Sequence, residues 1–579
     1  MKMDIEGKEA QIERVDDIPL LYGMLKRMGI QEIIDQEIKA HGNWQGISPG
    51  WVISIWLIHI LNEQNHLMEP VQKWVSQHLT VLQRLSGQGL SELDFTDDRL
   101  ALCLYYLHGS VAWQAIESQL SQRLIRVYAL PTETMRLDAT VGKVYHDPAD
   151  HTLFQIGKDK QGRFGALFKL MVVSLDPLGL PVVVDVAAGQ KADDPLYVPA
   201  YLRAKAIIGG VGKLVVGDSK MSALATRATL VKGQDHYLTP LAHEKDEPSL
   251  LDELLEPWVG RVNESTPIFL PEDLAADGST PERSLALATG FVVTRQRQAT
   301  LTEQVVTWEE RLLVVRSKSY SRTMQDNLSK RLDKAEVALR ALTPPRQRGK
   351  RQITDEATLQ AAIANIQQQQ RVVGLFTVSY TQHVSEKQVR GYKDKPPRLE
   401  RNLRFQLTVT RNLAAISSAL FRCGWRIYAT NAPAAKLSLQ QAVLAYRDQY
   451  LEENIFARLH GKFLSITPLY IQRDDHAAGL FHLLTLAVRL LALGDFQMRQ
   501  ALAAENSTLA GLYDGNAKRS TTTPTTERIL KAFEHINLLL LVIAPGVLRS
   551  VLTPLTPLQE RILALLALPT SLYTDLQSA

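Results

Sequence analysis

Three acidic residues from separate parts of the chain carry the chemistry that this sequence predicts. Asp138 lies in the strand-like run MRLDATVGKVY, Asp218 follows the apolar run LVVG, and Glu453 lies among apolar and aromatic neighbours. Oxygen ligands of this kind suit Mg²⁺ and Mn²⁺. Two such ions about 3.5–4 Å apart can activate a water or a 3′-hydroxyl and stabilise the leaving oxygen of a phosphoryl group. The three acids therefore predict a two-metal site for phosphoryl transfer, with Mg²⁺ as the cofactor and Mn²⁺ as an alternative.

Each acid also has a structural interpretation, because Asp is common at turns and at the starts of helices. Asp138 can cap a turn, and Asp218 can begin the helix that follows it. Asp97 and Asp98 fit a helix cap better than a metal site, since side-chain oxygens satisfy the free N–H groups of a helix start. Only the combination of acids, taken in chain order, favours chemistry over these local roles.

The third acid lies on a predicted helix that runs from Leu439 to Lys462. On a continuous helix, Tyr446, Glu453 and His460 recur every seven residues and share one face. The neighbouring Glu452 is the main competitor for the role, but it would point about 100° away from that face. The periodicity therefore predicts that Glu453 is the third carboxylate.

The elements that must position these acids are the strands of an α/β domain. Short runs rich in Val and Leu, separated by Gly, Pro and Asp, predict a sheet from Met135 onward. The turn Asp176-Pro177-Leu178-Gly179 predicts a hairpin. Crossover helices are predicted at residues 194–208 and 222–231. In open α/β sheets the sites gather at strand ends, so acids on neighbouring central strands would face each other. The order of elements is that of a ribonuclease-H-like domain.

The rest of the chain divides by its periodicity. Helix after helix from about residue 18 to 130 predicts an all-α N-terminal domain. Loops, strands and two helical segments form a mixed α/β insert, and the C-terminus is predicted to be helical. The predicted boundaries are 1–130 for the helical N-terminal domain, 131–242 and 421–495 for the two parts of the catalytic core, 243–420 for the insert, and 496–579 for the C-terminal region.

Two basic stretches lie in the predicted insert. One is TPPRQRGKRQ and the other is VRGYKDKPPRLERNLR near Arg390. A basic loop is usually a solvated surface, but two in one insert would suit phosphate contacts. The candidates for DNA contact in the first stretch are Arg346, Arg348, Lys350 and Arg351.

Composition narrows the class of protein. The net charge is only +4, with 65 Lys and Arg against 61 Asp and Glu, so local patches must carry any argument for nucleic acid. Cys103 and Cys423 are too few for a disulfide framework and lack zinc-site spacing. The polar, acidic start does not resemble a signal peptide, which predicts a cytoplasmic protein. The apolar run Ala477 to Gly494 contains His482 and Arg489, which predicts a buried helix and no membrane partner.

Four stretches of the chain resemble the DDE transposases of bacterial insertion sequences, in the branch with a large β-strand insertion before the glutamate. They are MRLDAT around Asp138, LVVGDSKMSALATRATL around Asp218, WRIYATN from Trp425, and YRDQYLEENIFARLHGKFLSITPLY from Tyr446. The helical N-terminal part, especially IIDQEI and FTDDRLALCLYYLH, is similar to the leader domain of that branch. The resemblance covers nearly the whole chain, and the order of the motifs is specific.

The glutamate signature of that family implies further site residues. Placed on Glu453, it matches Tyr446 but has Gln449 where the family has arginine and His460 where it has lysine. Other basic residues lie close by on the same segment. The residues that the resemblance assigns to DNA contact are Tyr446, Arg447, Arg458, His460 and Lys462.

The resemblance implies a transposase that cuts double-stranded DNA at the ends of its element and joins the freed 3′-hydroxyls to target DNA. It further implies a dimer on DNA and a location in the bacterial cytoplasm, at the nucleoid when bound. Two other functions are compatible with the same motifs. One is a catalytically inactive DNA-binding relic of a transposase, and the other is a metal-dependent endonuclease without strand transfer.

Overall fold

A computed structural model describes residues 2–5, 8–159, 161–242, 249–273, 286–302, 304–345, 352–390, 396, 398–544 and 547–577. The helices, in chain order, are α1 (Ile18–Met28), α2 (Ile30–Glu37), α3 (Pro49–Glu63), α4 (Glu69–Gln77), α5 (Leu79–Ser86), α6 (Asp97–His108), α7 (Ser110–Val127), α8 (Asp194–Ile208), α9 (Leu224–Lys232), α10 (Leu250–Leu255), α11 (Lys318–Arg340), α12 (Glu356–Gln369), α13 (Leu413–Arg422), α14 (Leu439–Arg447), α15 (Tyr450–His460), α16 (Asp474–Ala504), α17 (Thr526–Lys531), α18 (Pro557–Leu565) and α19 (Ser571–Thr574). The strands are β1 (Lys2–Ile5), β2 (Lys8–Arg14), β3 (Thr134–Lys143), β4 (Gln155–Lys158), β5 (Phe164–Leu175), β6 (Leu180–Ala188), β7 (Leu214–Gly217), β8 (His236–Pro240), β9 (Thr266–Ile268), β10 (Ala288–Leu301), β11 (Gln304–Ser317), β12 (Phe376–Val389), β13 (Arg398–Arg411), β14 (Trp425–Thr430), β15 (Leu509–Ala510), β16 (Ser520–Thr521), β17 (Asn537–Ala544) and β18 (Val547–Leu552).

The chain forms two compact units. The first, called the core unit here, comprises Met1–Thr239, Arg297–Trp308 and Ala445–Ala579. The second, the inserted unit, comprises Pro240–Gln296 and Glu309–Leu444. The inserted unit continues past residue 420, where we placed its end, and includes β14, which we assigned to the catalytic core. The helices of the N-terminal region belong to the core unit and do not form a unit of their own.

The sheet of the core unit has a mixed α/β topology. β5 pairs antiparallel with β3, β4 and β6, whereas β3, β7 and β8 run parallel to one another. The predicted hairpin is confirmed, because β5 and β6 are joined by the turn that ends at Gly179. The predicted crossover helices are confirmed as α8, between β6 and β7, and α9, between β7 and β8. Parallel neighbours need such crossovers because a tight turn cannot join them.

The longest helix, α16, lies in the interior of the core unit. Its length and composition would allow it to cross a membrane, yet 94% of its most apolar window is buried in the protein. This agrees with the buried helix that the sequence predicts. Arg489 on α16 is fully buried and donates from Nη2 to Oε1 of Glu117 on α7 at 2.6 Å. Arg203 on α8 also forms an ion pair with Glu117, so one buried carboxylate holds three helices together.

Both ends of the chain contain strands that the sequence analysis missed. β1, β2, β17 and β18 form an antiparallel sheet in that order. β2 pairs with β17 in the register Asn537↔Arg14 to Leu541↔Ala10. The run of helices expected from about residue 18 to 130 is present as α1 to α7, whereas residues 2–5, 8–14, 537–544 and 547–552, which were expected to belong to helical regions, form strands. The run NLLLLVIA lacks the polar positions that separate a strand from a buried helix, so its pairing with β2 decides its structure.

The inserted unit contains strands, helices and a long two-stranded arm. It holds the first part of β10, to Gln296, the second part of β11, from Glu309, and all of β14, which pairs antiparallel with β11. β12 and β13 pair along 14 residues each and form the arm. Buried side chains of α11 and the arm share one apolar cluster, which includes Leu332, Leu339, Phe376 and Val409. The mixed α/β composition that we predicted for the insert is confirmed for its described residues.

Candidate active site

Asp138 and Asp218 lie side by side on the sheet of the core unit. β3 and β7 are parallel and in the register Leu137↔Gly217, so the next residue on each chain is one of the two acids. Neighbouring strands are about 4.7–4.9 Å apart, so the two acids lie side by side where β7 ends. Both side chains are half-buried. This is the arrangement that the sequence predicts for two acids on neighbouring central strands.

Asp218 is held by its neighbours. The hydroxyl of Tyr197 on α8 donates to Oδ1 of Asp218 at 2.6 Å, and the backbone N–H of Lys220 donates to the same atom at 2.9 Å. The backbone carbonyl of Asp218 accepts from Oγ1 of Thr239 at 2.6 Å. Asp218 therefore begins the turn after β7, as the structural interpretation expects, and also faces the neighbouring acid.

Tyr197 contacts the site from the helix that precedes β7. It is 1% exposed. Burial raises the pKa of Tyr197, and the negative charges of Asp218, Asp138 and Glu452 raise it further. The three carboxylates thus act on one phenol, which remains a hydrogen-bond donor. Residue spacing carried no signal for Tyr197, because its role depends on how α8 packs on the sheet.

The third acid of the site is Glu452, on α15. Its side chain is 1% exposed, and Oε1 has no hydrogen-bond partner. Burial raises the pKa of Glu452 well above its usual range, and the charges of Asp138, Asp176 and Asp218 raise it further against the opposing charge of Arg136. Glu452 is therefore the buried acid of α15, and the negative charges of Asp138 and Asp218 both act on it.

The expectation that Glu453 faces the other two acids is wrong. Glu453 is exposed, whereas Glu452 is buried. The predicted single helix is two helices, because α14 ends at Arg447 and α15 begins at Tyr450. The two-residue turn between them breaks the seven-residue periodicity that placed Glu453 on the face of Tyr446.

The start of α15 lies close to the hairpin turn between β5 and β6. Gly179 has a positive φ of 62°, and a Cβ on it would lie 3.0 Å from the carbonyl oxygen of Leu451. Glycine adopts this left-handed backbone conformation without strain, and any other residue would place its Cβ in a tight contact with that oxygen. The turn that the sequence predicts thus helps to place Glu452 beside β3.

A buried arginine lies beside the acids. Arg136, two residues before Asp138 on β3, donates from Nε and Nη2 to the two carboxylate oxygens of Asp176 at 2.6 and 2.7 Å. Nη2 also donates to the carbonyl oxygen of Ala445 at 2.6 Å, whereas Nη1 is buried without a hydrogen-bond partner. Arg136 is 1% exposed and lowers the pKa of Glu452. The alternation of β3, which places residues 136 and 138 on one face, is a signal that could have identified it.

The basic residues assigned to DNA contact have different environments. Arg458 forms ion pairs with Asp495 at 2.8 Å and Glu527 at 2.7 Å, and its side chain is 14% exposed. An arginine held by two carboxylates has a structural role in the core unit, so the structure does not support the expected role of Arg458 in DNA contact. Nε2 of His460 lies 3.3 Å from Oγ1 of Thr140 on β3, which places the end of α15 against the same strand as Asp138.

The remaining candidates differ in their exposure. Arg447 and Lys462 are exposed, and Tyr446 is half-buried. Their contact with DNA stays a prediction. The candidates of the first basic stretch lie outside the described residues; they are Arg346, Arg348, Lys350 and Arg351.

The site contains oxygen atoms that could bind a metal ion, but the three acids are not arranged around a common point. Among the described residues, no group of three or more His, Cys, Asp and Glu side chains is arranged to hold a metal ion as it stands. The oxygen donors of Asp138, Asp218 and Glu452 nevertheless suit a hard divalent cation. The buried, unpartnered Oε1 of Glu452 is the atom that a cation would satisfy best. The residues therefore fit such an ion in the chemical type of their donors.

Comparisons with known proteins give limited information about the chain. Residues 10–114 match a family model described as "Domain of unknown function (DUF4277)". No curated protein matches the chain. Among solved structures, a cryo-EM structure of a piggyBac transposase synaptic complex with hairpin DNA is similar, with a TM-score of 0.33 and 8% sequence identity over 86% of this chain and 79% of that chain. A score this low does not establish a common fold, so the site itself must support any function.

Proposed function

We propose that this protein is a DNA transposase that uses Asp138, Asp218 and Glu452 for phosphoryl transfer. The observation that carries the proposal is the parallel register that places Asp138 beside Asp218, together with the buried Glu452 on α15, a helix that contacts β3 through His460 and Thr140. Like charges repel in a half-buried site, so placing three carboxylates together destabilises the folded protein. We interpret this destabilisation as a requirement of function. A pair of bound divalent cations would offset that repulsion.

The topology of the core unit supports the same function. Its strands lie in the order β6, β5, β3, β7, β8, with β4 also pairing with β5, and β7 and β8 run parallel to β3. We interpret this order, with Asp138 on β3, Asp218 directly after β7 and a third acid on a later helix, as a ribonuclease-H-like catalytic core. The sequence resemblance to insertion-sequence transposases assigns the same two aspartates.

The residues of the site would have different roles in DNA cleavage and joining. Asp138, Asp218 and Glu452 would hold Mg²⁺ or Mn²⁺, which when bound supplies a strong nucleophile and stabilises the leaving oxygen. The Tyr197 hydroxyl would fix the orientation of the Asp218 carboxylate. The guanidinium of Arg136 would limit the negative charge around Glu452. The substrates in this proposal are double-stranded element ends and target DNA, the active form is a dimer on DNA, and the location is the bacterial cytoplasm.

Single substitutions at the acids test this proposal. The substrate is a labelled duplex that carries the inverted repeats flanking the gene, incubated with Mg²⁺ or Mn²⁺. Asp138→Asn and Glu452→Gln should each slow nicking by at least about 100-fold, because metal stabilisation of the transition state is worth several kcal/mol. Glu453→Gln is the matched control, since it makes the same chemical change at the adjacent, exposed position. Equal nicking by wild type, Asp138→Asn and Glu452→Gln would overturn the proposal.

A second substrate separates cutting from joining. Pre-cleaved ends with free 3′-hydroxyls are mixed with a target plasmid, and joined products are counted. A transposase joins them, whereas an endonuclease without strand transfer yields none. A protein that binds the ends but neither cuts nor joins them would be the inactive relic.

A further inference from the structure

Positive charge is concentrated in one part of the inserted unit. Residues 318–411, which include α11, α12 and the arm, contain 19 Lys and Arg and 8 Asp and Glu, a formal net charge of +11. The rest of the chain contains 46 Lys and Arg and 53 Asp and Glu, a net charge of −7. The small overall charge of +4 therefore hides a strongly basic region. Such a region attracts a polyanion regardless of sequence.

The arm has two different faces. Residues that pair directly across two antiparallel strands share a face, and successive pairs alternate between faces. One face contains the pairs Phe376↔Arg411, Val378↔Val409 and Tyr380↔Leu407. This apolar face packs on the helices of the same unit, within the cluster that includes Leu332 and Leu339.

Polar contacts fix the same face in place. Arg411 forms ion pairs with Asp333 at 2.6 Å and with Glu336 at 2.8 Å, both on α11. The Tyr380 hydroxyl donates to Glu356 on α12 at 2.6 Å. The base of the arm is thus held by apolar packing and by charged contacts, which leaves its other face directed outward.

The outward face is entirely polar over five consecutive pairs. All ten side chains can donate a hydrogen bond, none is acidic, and all ten are exposed. The pairs are Thr377↔Thr410, Ser379↔Thr408, Thr381↔Gln406, His383↔Arg404 and Ser385↔Asn402. The next pair on this face, Lys387↔Glu400, ends the stretch without acids. Ser, Thr, Asn, Gln and Arg are the residues that contact phosphates and base edges of DNA.

We propose that this polar face of the arm is a contact surface for duplex DNA that lies along the major groove. The major groove of B-DNA is about 12 Å wide and admits a two-stranded β-ribbon. From Thr377 to Ser385 the face is roughly 27 Å long at about 3.3 Å per residue, which is about eight base pairs. The deep, narrow major groove of duplex RNA does not admit such a ribbon, so the geometry selects DNA.

The inference rests on the proposed function only in naming DNA as the partner, because it requires no cleavage. Binding is therefore measured with the full chain in EDTA, by fluorescence anisotropy on a labelled DNA duplex of roughly 30 base pairs, or three helical turns. Failure of the catalytic proposal would leave this binding intact. Failure of the arm proposal would leave nicking of element ends by the wild type intact.

Two arginines on opposite faces of the arm form a matched pair for the test. Arg404 lies on the polar face, and Arg401 lies on the other face beside Glu386, with a side chain that is 66% exposed. Arg404→Ala should weaken binding about tenfold or more and reduce the slope of log K against log salt by about 1. Arg401→Ala removes the same charge and should change binding by less than about twofold.

A third variant tests the face without removing a positive charge. Gln406→Glu places an acid among the ten polar residues at an exposed position and should weaken binding at least as much as Arg404→Ala. Equal effects of Arg404→Ala and Arg401→Ala on binding would mean that only the net charge of the arm matters, and would overturn the assignment of DNA contact to the polar face. Binding unaffected by Arg404→Ala and Gln406→Glu, or equal affinity for duplex RNA, would overturn the proposal as a whole.

Discussion

Glu452 is the side chain whose environment is least compatible with an ordinary structural role. It is buried, one of its oxygens has no hydrogen-bond partner, and it lies near two further carboxylates. A carboxylate in such a place destabilises the folded protein when it is ionised. This destabilisation is consistent with a role of Glu452 as a metal ligand, since a bound cation would neutralise its charge.

The raised pKa of Glu452 predicts how stability depends on pH. The pKa of Glu452 is higher in the folded protein than in the unfolded chain. The contribution of Glu452 to the free energy of unfolding is therefore fully present below the ordinary pKa of Glu and is lost as the pH rises through the folded-state pKa. Glu452→Gln cannot ionise, so it should be more stable than the wild type near neutral pH and not below pH about 4. Each unit of pKa elevation corresponds to about 1.4 kcal/mol of unfolding free energy. Urea unfolding across this pH range measures the difference.

Divalent cations and the neighbouring glutamate provide the controls. Mn²⁺ should raise the unfolding midpoint of the wild type, since a ligand that binds only the folded state stabilises it, and should have a smaller effect on Glu452→Gln. Glu453→Gln should follow the wild type in both measurements, because Glu453 is exposed. A Glu452→Gln protein that is less stable than the wild type at neutral pH would contradict this account.

The hydrogen bond from Tyr197 to Asp218 predicts an effect on metal affinity. Tyr197→Phe removes the donor 2.6 Å from Oδ1 of Asp218 and keeps the ring. Groups that orient a metal ligand typically change metal affinity by about 10- to 100-fold when they are lost. Mn²⁺ titration by calorimetry should therefore show weaker binding for Tyr197→Phe, with a loss of stability of about 1 kcal/mol.

The same helix offers a matched control. Tyr201, one turn later on α8, donates from its hydroxyl to the buried carboxylate of Asp235 at 2.7 Å. Asp235 is not one of the three acids. Tyr201→Phe should lower stability by a similar amount and leave Mn²⁺ affinity unchanged. Equal metal affinities of the two variants would assign Tyr197 a purely structural role.

At the scale of elements, the sheet could be predicted from the sequence, whereas the third acid could not. The alternation of β3, the hairpin turn and the crossover helices are local patterns, and they placed Asp138 and Asp218 correctly beside each other. The choice between Glu452 and Glu453 depended on helical phase over the whole segment from Leu439. The turn between α14 and α15 resets that phase, and no helix-breaking residue marks it in the sequence.

The strands at the chain ends escaped prediction for a different reason. An uninterrupted apolar run fits a buried helix and a buried strand equally well, and the pairing that decides between them involves residues more than 500 positions apart. Tyr197 and Arg136 were missed because their roles arise from packing on the sheet. Long-range contacts, which local periodicity does not contain, therefore account for most of what the sequence left undetermined.

The ion pairs that join α7, α8 and α16 predict a large stability effect. Arg489→Leu removes one of the two arginines that neutralise the fully buried Glu117. Breaking a buried pair by removing one partner costs about 3–5 kcal/mol, because the other charge stays buried. The double variant Glu117→Gln/Arg489→Leu should recover part of this loss, since no charge is then left without a partner. The midpoint of urea unfolding measures both, and a double variant less stable than Arg489→Leu would contradict the argument.

At the scale of the whole molecule, the two ends of the chain stabilise the core unit together. The hydroxyl of Tyr573 donates to the backbone carbonyl of Asp16 at 2.8 Å, and the N–H of Ile536 donates to the Asp16 carboxylate at 3.1 Å. Glu13 on β2 is 2% exposed and accepts from the hydroxyl of Thr80 at 2.6 Å. β2 is thus a link between the C-terminal strands and the N-terminal helices.

Truncations of the N-terminus test this link. Removing residues 1–14 deletes β2, which leaves the pairing edge of β17 exposed and removes the hydrogen bonds of Glu13. At about 1 kcal/mol for each backbone or side-chain hydrogen bond, the loss should be at least roughly 3 kcal/mol, and the exposed edge should promote aggregation. Removing only residues 1–7 deletes β1, the edge strand of that sheet, and should cost much less. Urea unfolding and light scattering distinguish the two truncations; if both were as stable as the full chain, the termini would not contribute to the stability of the core unit.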